Sequence, residues 1–107
     1  MIRDLAPSRY FDEVYGRGVH VVLLHLGDDL YREAKAEFDY IDMKIGTSRS
    51  IFLWECRVHT AEDCAAVQAC RFPQFRFFVN GNERQTHVGV LEAAVLLNKI
   101  LDLEDRS

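Results

Sequence analysis

The chain has 107 residues, 49% of them hydrophobic, which is enough for one domain around one core over residues 1 to 107 and too little for a second. Its 13 basic and 17 acidic residues leave a formal charge of -4, without the clustered basic face that a phosphate backbone requires, so no nucleic acid partner is expected. No run reaches the roughly 18 apolar residues of a membrane helix, and Met1-Ile2-Arg3-Asp4-Leu5 has no signal-peptide pattern, so the expectation is a cytoplasmic protein with no membrane partner.

Ile2 to Leu5 is expected as a short edge strand. Ser8 is placed to cap a helix over residues 9 to 15, with Tyr10, Phe11 and Val14 at helical spacing and Gly16 and Gly18 ending it. Val19 to His25 is a nearly continuous apolar, β-branched run between glycines, which suits a strand covered on both faces and therefore central. Asp28 or Asp29 then caps a longer helix to about Lys44, whose Leu30, Ala34, Phe38 and Ile41 make a stripe that packs on the sheet. Gly46-Thr47-Ser48 reads as a turn and Ile51 to Cys56 as a second buried strand; Thr60 caps a third helix from Ala61 to about Cys70.

Asn80-Gly81, between Phe75 to Val79 and Arg84 to Val88, is a hairpin signal, because both central positions of a type I′ turn need positive φ. Alternate strand positions point to opposite faces, which assigns Phe75 and Phe77 to one core face and Phe78 to the other. Leu91 to Leu103 closes the chain as a helix with Ala93, Leu96, Ile100 and Leu103 along one side. The order is βαβαβαββα, an α/β fold with a central mixed sheet flanked by helices.

Cys56, Cys64 and Cys70 are an odd number without an export signal, which reads as free thiols in a reducing compartment. With His59 they offer four metal-ligating side chains, but Cys64 and Cys70 on one helix would stand about 240° apart around its axis, so no metal site is expected. The four histidines are scattered over different elements with no nucleophile beside them. No catalytic residue and no cofactor are assigned on that ground. His25 is the one to watch, since it leaves the central strand just before Gly27-Asp28-Asp29.

The stretch Phe72-Pro73-Gln74-Phe75-Arg76-Phe77-Phe78-Val79-Asn80-Gly81-Asn82, closed by Val88-Gly89-Val90, resembles the back half of the thioredoxin family, and with the element order the resemblance covers nearly the whole chain. It implies a thioredoxin-like fold in which Pro73 is cis, Gly89 lies beside the active site and Phe72 faces a substrate groove. Laying Val22 to Ala36 onto the family without a gap puts Asp28 and Tyr31 at the two redox-cysteine positions, and Val22 where many thioredoxins bury an acid. Thiol–disulfide exchange needs a thiolate attacker and a resolving thiol, and neither Asp28 nor Tyr31 supplies one; the chain holds no Cys-x-x-Cys.

The resemblance therefore implies a redox-inactive domain that binds a protein or an extended peptide through Gly27, Asp28, Asp29, Leu30, Tyr31, Phe72, Pro73 and Gly89, as a chaperone, assembly factor or scaffold. Helix capping alone is the competing reading of Asp28-Asp29. Two alternatives stand beside this function: a non-standard thiol oxidoreductase using Cys70 or Cys56, and a structural homo-oligomeric interaction protein.

Overall fold

A computed structural model describes residues 1–45 and 47–106. Its elements are β1 (Ile2–Asp4), a 3₁₀ turn (Pro7–Arg9), α1 (Tyr10–Val14), β2 (Val19–His25), α2 (Asp29–Ile45), β3 (Ile51–Arg57), α3 (Ala61–Val67), β4 (Gln74–Val79), β5 (Asn82–Val88) and α4 (Ala93–Asp105). One sheet runs in the order β1-β3-β2-β4-β5, with β1, β3 and β2 parallel and β4 and β5 antiparallel to their neighbours. The expected order holds element for element. Gly46 of the expected turn lies outside the described residues.

Two layers of side chains sandwich the sheet. Val19, Val21 and Leu23 of β2, Ile51 and Leu53 of β3, and Phe75, Phe77 and Val79 of β4 face α2 and α4, where they meet Ala34, Phe38, Ile41, Leu96 and Ile100. Val22, Leu24, Trp54, Cys56 and Phe78 face the other way, onto Tyr10 and Val14 of α1 and Val67 of α3. The period of two thus assigns the three phenylalanines of β4 as read from the sequence. The Asn80-Gly81 turn has φ of 50° and 86° at its two central residues, and the Asn80 side chain accepts from the Gly18 amide at 2.9 Å. Among the described residues no helix is long and apolar enough to cross a membrane.

Three local expectations are corrected. Ser8 does not cap α1: it sits inside the 3₁₀ turn that Pro7 opens, and α1 follows with Arg9 in the cap position and no side-chain cap. Proline with its fixed φ starts the turn at residue 7, two residues before the helix that a Ser8 cap would open. Leu30 is not part of the buried stripe of α2, being 47% exposed; Tyr31 is the residue of that turn packed against the core.

The third correction is that α3 stops at Val67, three residues short of Cys70, because Gln68 turns left-handed with φ of 54°. Thr60 starts this helix as expected, accepting from the Asp63 amide in a reciprocal capping box. Its other end is closed by Arg76, which the sequence pattern did not single out. Arg76 is 8% exposed on β4 and donates to the carbonyls of Val67 and Gln68, to Gln74 Oε1 at 2.7 Å and to Tyr10 Oη at 3.3 Å. It satisfies carbonyls that the early helix end leaves open and sets a cation at the negative pole of α3. Burial raises the Tyr10 hydroxyl to about 12, against the opposing pull of Arg76, so Tyr10 stays a neutral partner.

Replacing Arg76 by Met keeps the volume but strands these carbonyls, each worth about 1–3 kcal/mol when left unpaired under cover. Urea unfolding of Arg76→Met is expected to show a loss of about 2–4 kcal/mol. Glu83→Gln, which removes only a carboxylate 3.8 Å from Arg76 and half exposed, should change stability by less than about 1 kcal/mol.

Candidate functional site

The parallel strands β1, β3 and β2 all end on one side of the sheet, and β4 begins there. The ladder between β2 and β4 closes at Leu24–Gln74, so Phe72 and Pro73 stand just past the last pair, beside His25 and Leu26. The Phe72–Pro73 peptide is cis, and the Pro73 carbonyl accepts from the Gly89 amide at 2.8 Å. Gly27, Pro73 and Gly89 are thus brought to one end of the sheet. Gly27 and Gly89 both adopt positive φ, 74° and 108°, as the sharp exits from β2 and β5 require.

Asp28 is the cap of α2. Its Oδ1 accepts from the Tyr31 amide at 3.1 Å, and its carbonyl accepts from Arg32. Asp29 makes a short ion pair with Arg32 on the exposed surface. The carboxylate at position 28 is therefore engaged in holding the helix end. Phe72 is half-buried against the cluster under α3, so only part of its ring reaches solvent. The large apolar side chains exposed near this end are those of Leu26, Leu30 and Val88, at 45%, 47% and 49%.

The three thiols differ in exposure. Cys56 is fully buried, and burial pushes its thiol up to about 12. Cys64 is half-buried on α3, and Cys70 is exposed on the loop that leads to Phe72. No disulfide joins them. Val22, at the position where the resemblance implies an acid, is fully buried in an apolar layer. Among the described residues no group of three or more His, Cys, Asp and Glu is placed to hold a metal ion.

A polar cluster that sequence reasoning missed occupies the other flank of the α2 N-terminus. Glu55 Oε2 accepts from Lys35 Nζ at 2.7 Å and from Tyr31 Oη at 3.1 Å. Burial alone would raise the Glu55 carboxyl, but the Lys35 ammonium and the Tyr31 hydroxyl hold it below the usual carboxylate range. Lys35 is displaced upward: burial works against its charge, and Glu55 outweighs burial. Burial and the Glu55 charge raise the Tyr31 hydroxyl.

His25 lies beneath, 4% exposed, stacked on the Tyr31 ring with centroids 3.8 Å apart. Its Nδ1 accepts the Gly27 N–H at 3.0 Å, so the neutral ring carries its proton on Nε2. Burial pushes His25 down to about 4, Arg57 and Lys35 pushing the same way against Glu55. The signal available in the sequence was the period of two. Glu55 and Arg57 share the parity of Ile51 and Leu53, which places two charged side chains on the α2 face of β3.

Comparison with known structures decides the fold. Over 96% of its length the chain superposes on 93% of the thioredoxin of Malassezia sympodialis (Mala s 13), with a TM-score of 0.77 at 17% sequence identity. The fold is thioredoxin-like. A chain from work on thiol resolution in yeast mitochondrial 1-Cys peroxiredoxin via the glutathione and thioredoxin systems matches 94% of this thioredoxin-like chain, also over 94% of its own length, with a TM-score of 0.75 and 11% identity. No family model matches the chain, and no curated protein matches it significantly.

The depressed His25 makes this end of the thioredoxin-like fold sensitive to acid. Its folded pKa lies below the ordinary 6.5, so its contribution is complete above about pH 6.5 and is lost as pH falls toward about 4, up to about 3 kcal/mol in all. His20, buried between the Trp54 indole N–H and the Arg17 carbonyl, is lowered by burial and adds in the same sense. Urea midpoints are expected to fall between about pH 7 and about pH 5, and His25→Phe, which keeps the stack on Tyr31 without a titrating ring, should flatten that fall.

Proposed function

We propose that this thioredoxin-like domain binds an extended polypeptide at the end of the sheet and carries out no dithiol–disulfide exchange. The observation that carries the reading is the apolar ledge of Leu26, Leu30 and Val88 around Pro73 and Gly89, at an end of the fold where position 28 holds a helix-capping carboxylate. Exposed apolar side chains beside a chain segment that enters the sheet suit docking of an extended strand flanked by side-chain contacts. Leu30 and Tyr31 present themselves to opposite sides of the α2 N-terminus, Leu30 to solvent on the groove side and Tyr31 to the polar cluster. Asp28 and Asp29 add negative charge to the rim, which favours a basic or neutral segment over an acidic one. Gly27, Phe72, Pro73 and Gly89 form the floor.

Thiol chemistry is opposed by the same geometry. Cys56 is held protonated by burial, and the only exposed thiol, Cys70, has no second cysteine placed with it in a disulfide or in a Cys-x-x-Cys sequence.

Insulin-disulfide reduction with dithiothreitol as electron donor is expected to proceed no faster with this protein than without it. Activity that disappears in Cys70→Ser would transfer the function to that thiol. Binding is read by amide NMR shifts on titration with a reduced, carboxymethylated polypeptide as a permanently extended probe. Shifts are expected at Leu26 to Tyr31, Phe72 and Gly89, with affinity weakened about tenfold in Leu30→Asp. Shifts confined to another face, or none, would overturn the reading.

A further inference from the structure

We infer a second site, for a small zwitterion carrying an ammonium and a carboxylate a few ångströms apart, such as a free α-amino acid or a dipeptide, in the polar cleft at the ends of β1, β3 and β2. The inference does not rest on the polypeptide groove, which lies across the α2 N-terminus from it. The cleft has a volume of about 520 Å³ and is lined by Asp4, Leu5, His25, Tyr31, Glu55 and Arg57, among others. That volume is within the range of small-molecule sites, about 300–1,000 Å³. The place also fits, since open α/β sheets bind ligands outside the carboxyl ends of parallel strands. Here α2 leaves on one face, and α1 and α3 pack on the other.

Strand register sorts the charges by sign. Asp4 pairs with Glu55 across β1 and β3, so two carboxylates stand side by side on one level. Arg57 pairs with His25 across β3 and β2, so two donors stand side by side on the next level of the same face. The two levels are separated by two residues of strand, roughly 6.6 Å. An ammonium and a carboxylate on one α-carbon, each with a hydrogen bond of about 2.8 Å beyond it, bridge such a gap.

The groups facing the cleft have bonding capacity left over. Lys35 and Tyr31 both bond Glu55 Oε2, and the Asp4 carboxyl itself interacts with Glu55, so the two carboxyls form a paired acceptor that an ammonium would enter. Arg57 has no hydrogen-bond or ion-pair partner for its guanidinium among the described residues, yet it is held in place against Gly27, where a Cβ would stand 2.7 Å from Arg57 Cζ. His25 is the strongest pointer. It is 4% exposed and lines the cleft, with Nδ1 occupied by Gly27 and no described protein group on Nε2–H, which is not among the side-chain atoms sealed from solvent. A donor that opens onto the cleft from an otherwise covered ring is placed to meet a ligand acceptor. Asp4 and Glu55 on one level and Arg57 on the next put both signs of charge on the lining, which suits a ligand charged at both ends.

The test is calorimetric titration of the whole chain with a panel of L-amino acids and dipeptides, each also as its N-acetylated and its C-amidated form. The uncapped form of at least one member is expected to bind, with about tenfold loss on capping either end. Arg57→Gln should weaken the uncapped ligand about tenfold and leave the amidated one unchanged, and Asp4→Asn should do the same for the uncapped and acetylated pair. Both side chains are exposed, so the variants are expected to keep the wild-type circular dichroism. Binding should persist in Leu30→Asp, which separates this site from the groove. No binding up to about 10 mM, weaker than any affinity worth about 3 kcal/mol, or equal binding of capped and uncapped forms, would overturn the proposal.

Discussion

Complete burial of β2 is the constraint from which the rest of this molecule follows. All seven of its residues are covered, by α2 and α4 on one face and by α1 and α3 on the other. Such a strand cannot shift by one residue without exchanging its two faces, because side chains alternate with a period of two. With β2 held, the parallel register to β3 and the antiparallel register to β4 are held too. What stands at its carboxyl end is then determined: His25 beside Arg57 on one side, and Leu26 and Gly27 beside Pro73 on the other.

That single strand end separates two environments across the α2 N-terminus. Leu26, Leu30 and Val88 are exposed, and the backbone turns sharply at Gly27 and Gly89. On the cleft side the groups are polar and largely engaged, with Lys35 and Tyr31 on Glu55 and His25 under Tyr31. Tyr31 lines the cleft and bonds the polar cluster there. Its ring covers His25, and its hydroxyl helps keep Glu55 ionised. The thioredoxin-like fold thus carries exposed apolar side chains and a polar cleft at the same end of its sheet, with Asp28 capping the helix there.

Much of the fold was legible because its signals are local. The β-branched run of β2, the stripe of Ala34, Phe38 and Ile41, the capping box at Thr60 and the Asn80-Gly81 turn each report on backbone geometry within a few residues. Errors came where a neighbour overrode such a signal. Pro7 displaced Ser8 as the helix start, and Gln68 in the left-handed region cut α3 short, with Arg76 of another element supplying the C-terminal bonds. Leu30 matched helical spacing but lies in the first turn of α2, beyond the edge of the core, where Tyr31 takes the inward place.

The sequence by itself determined the element order, the faces of β4, the turn at Asn80-Gly81 and the absence of a Cys-x-x-Cys, since each depends on residue type and spacing along one stretch of chain. Only the tertiary structure decided which side chains meet at the strand ends. Lys35 and Glu55 are 20 residues apart, His25 and Arg57 are partners only through parallel register, and Arg76 reaches α1 and the end of α3 at once. Parallel pairing joins segments separated by a whole crossover helix, and no local pattern records the register it adopts. The protonation of His25, Glu55 and Lys35 is set by burial and by partners that only this register brings together.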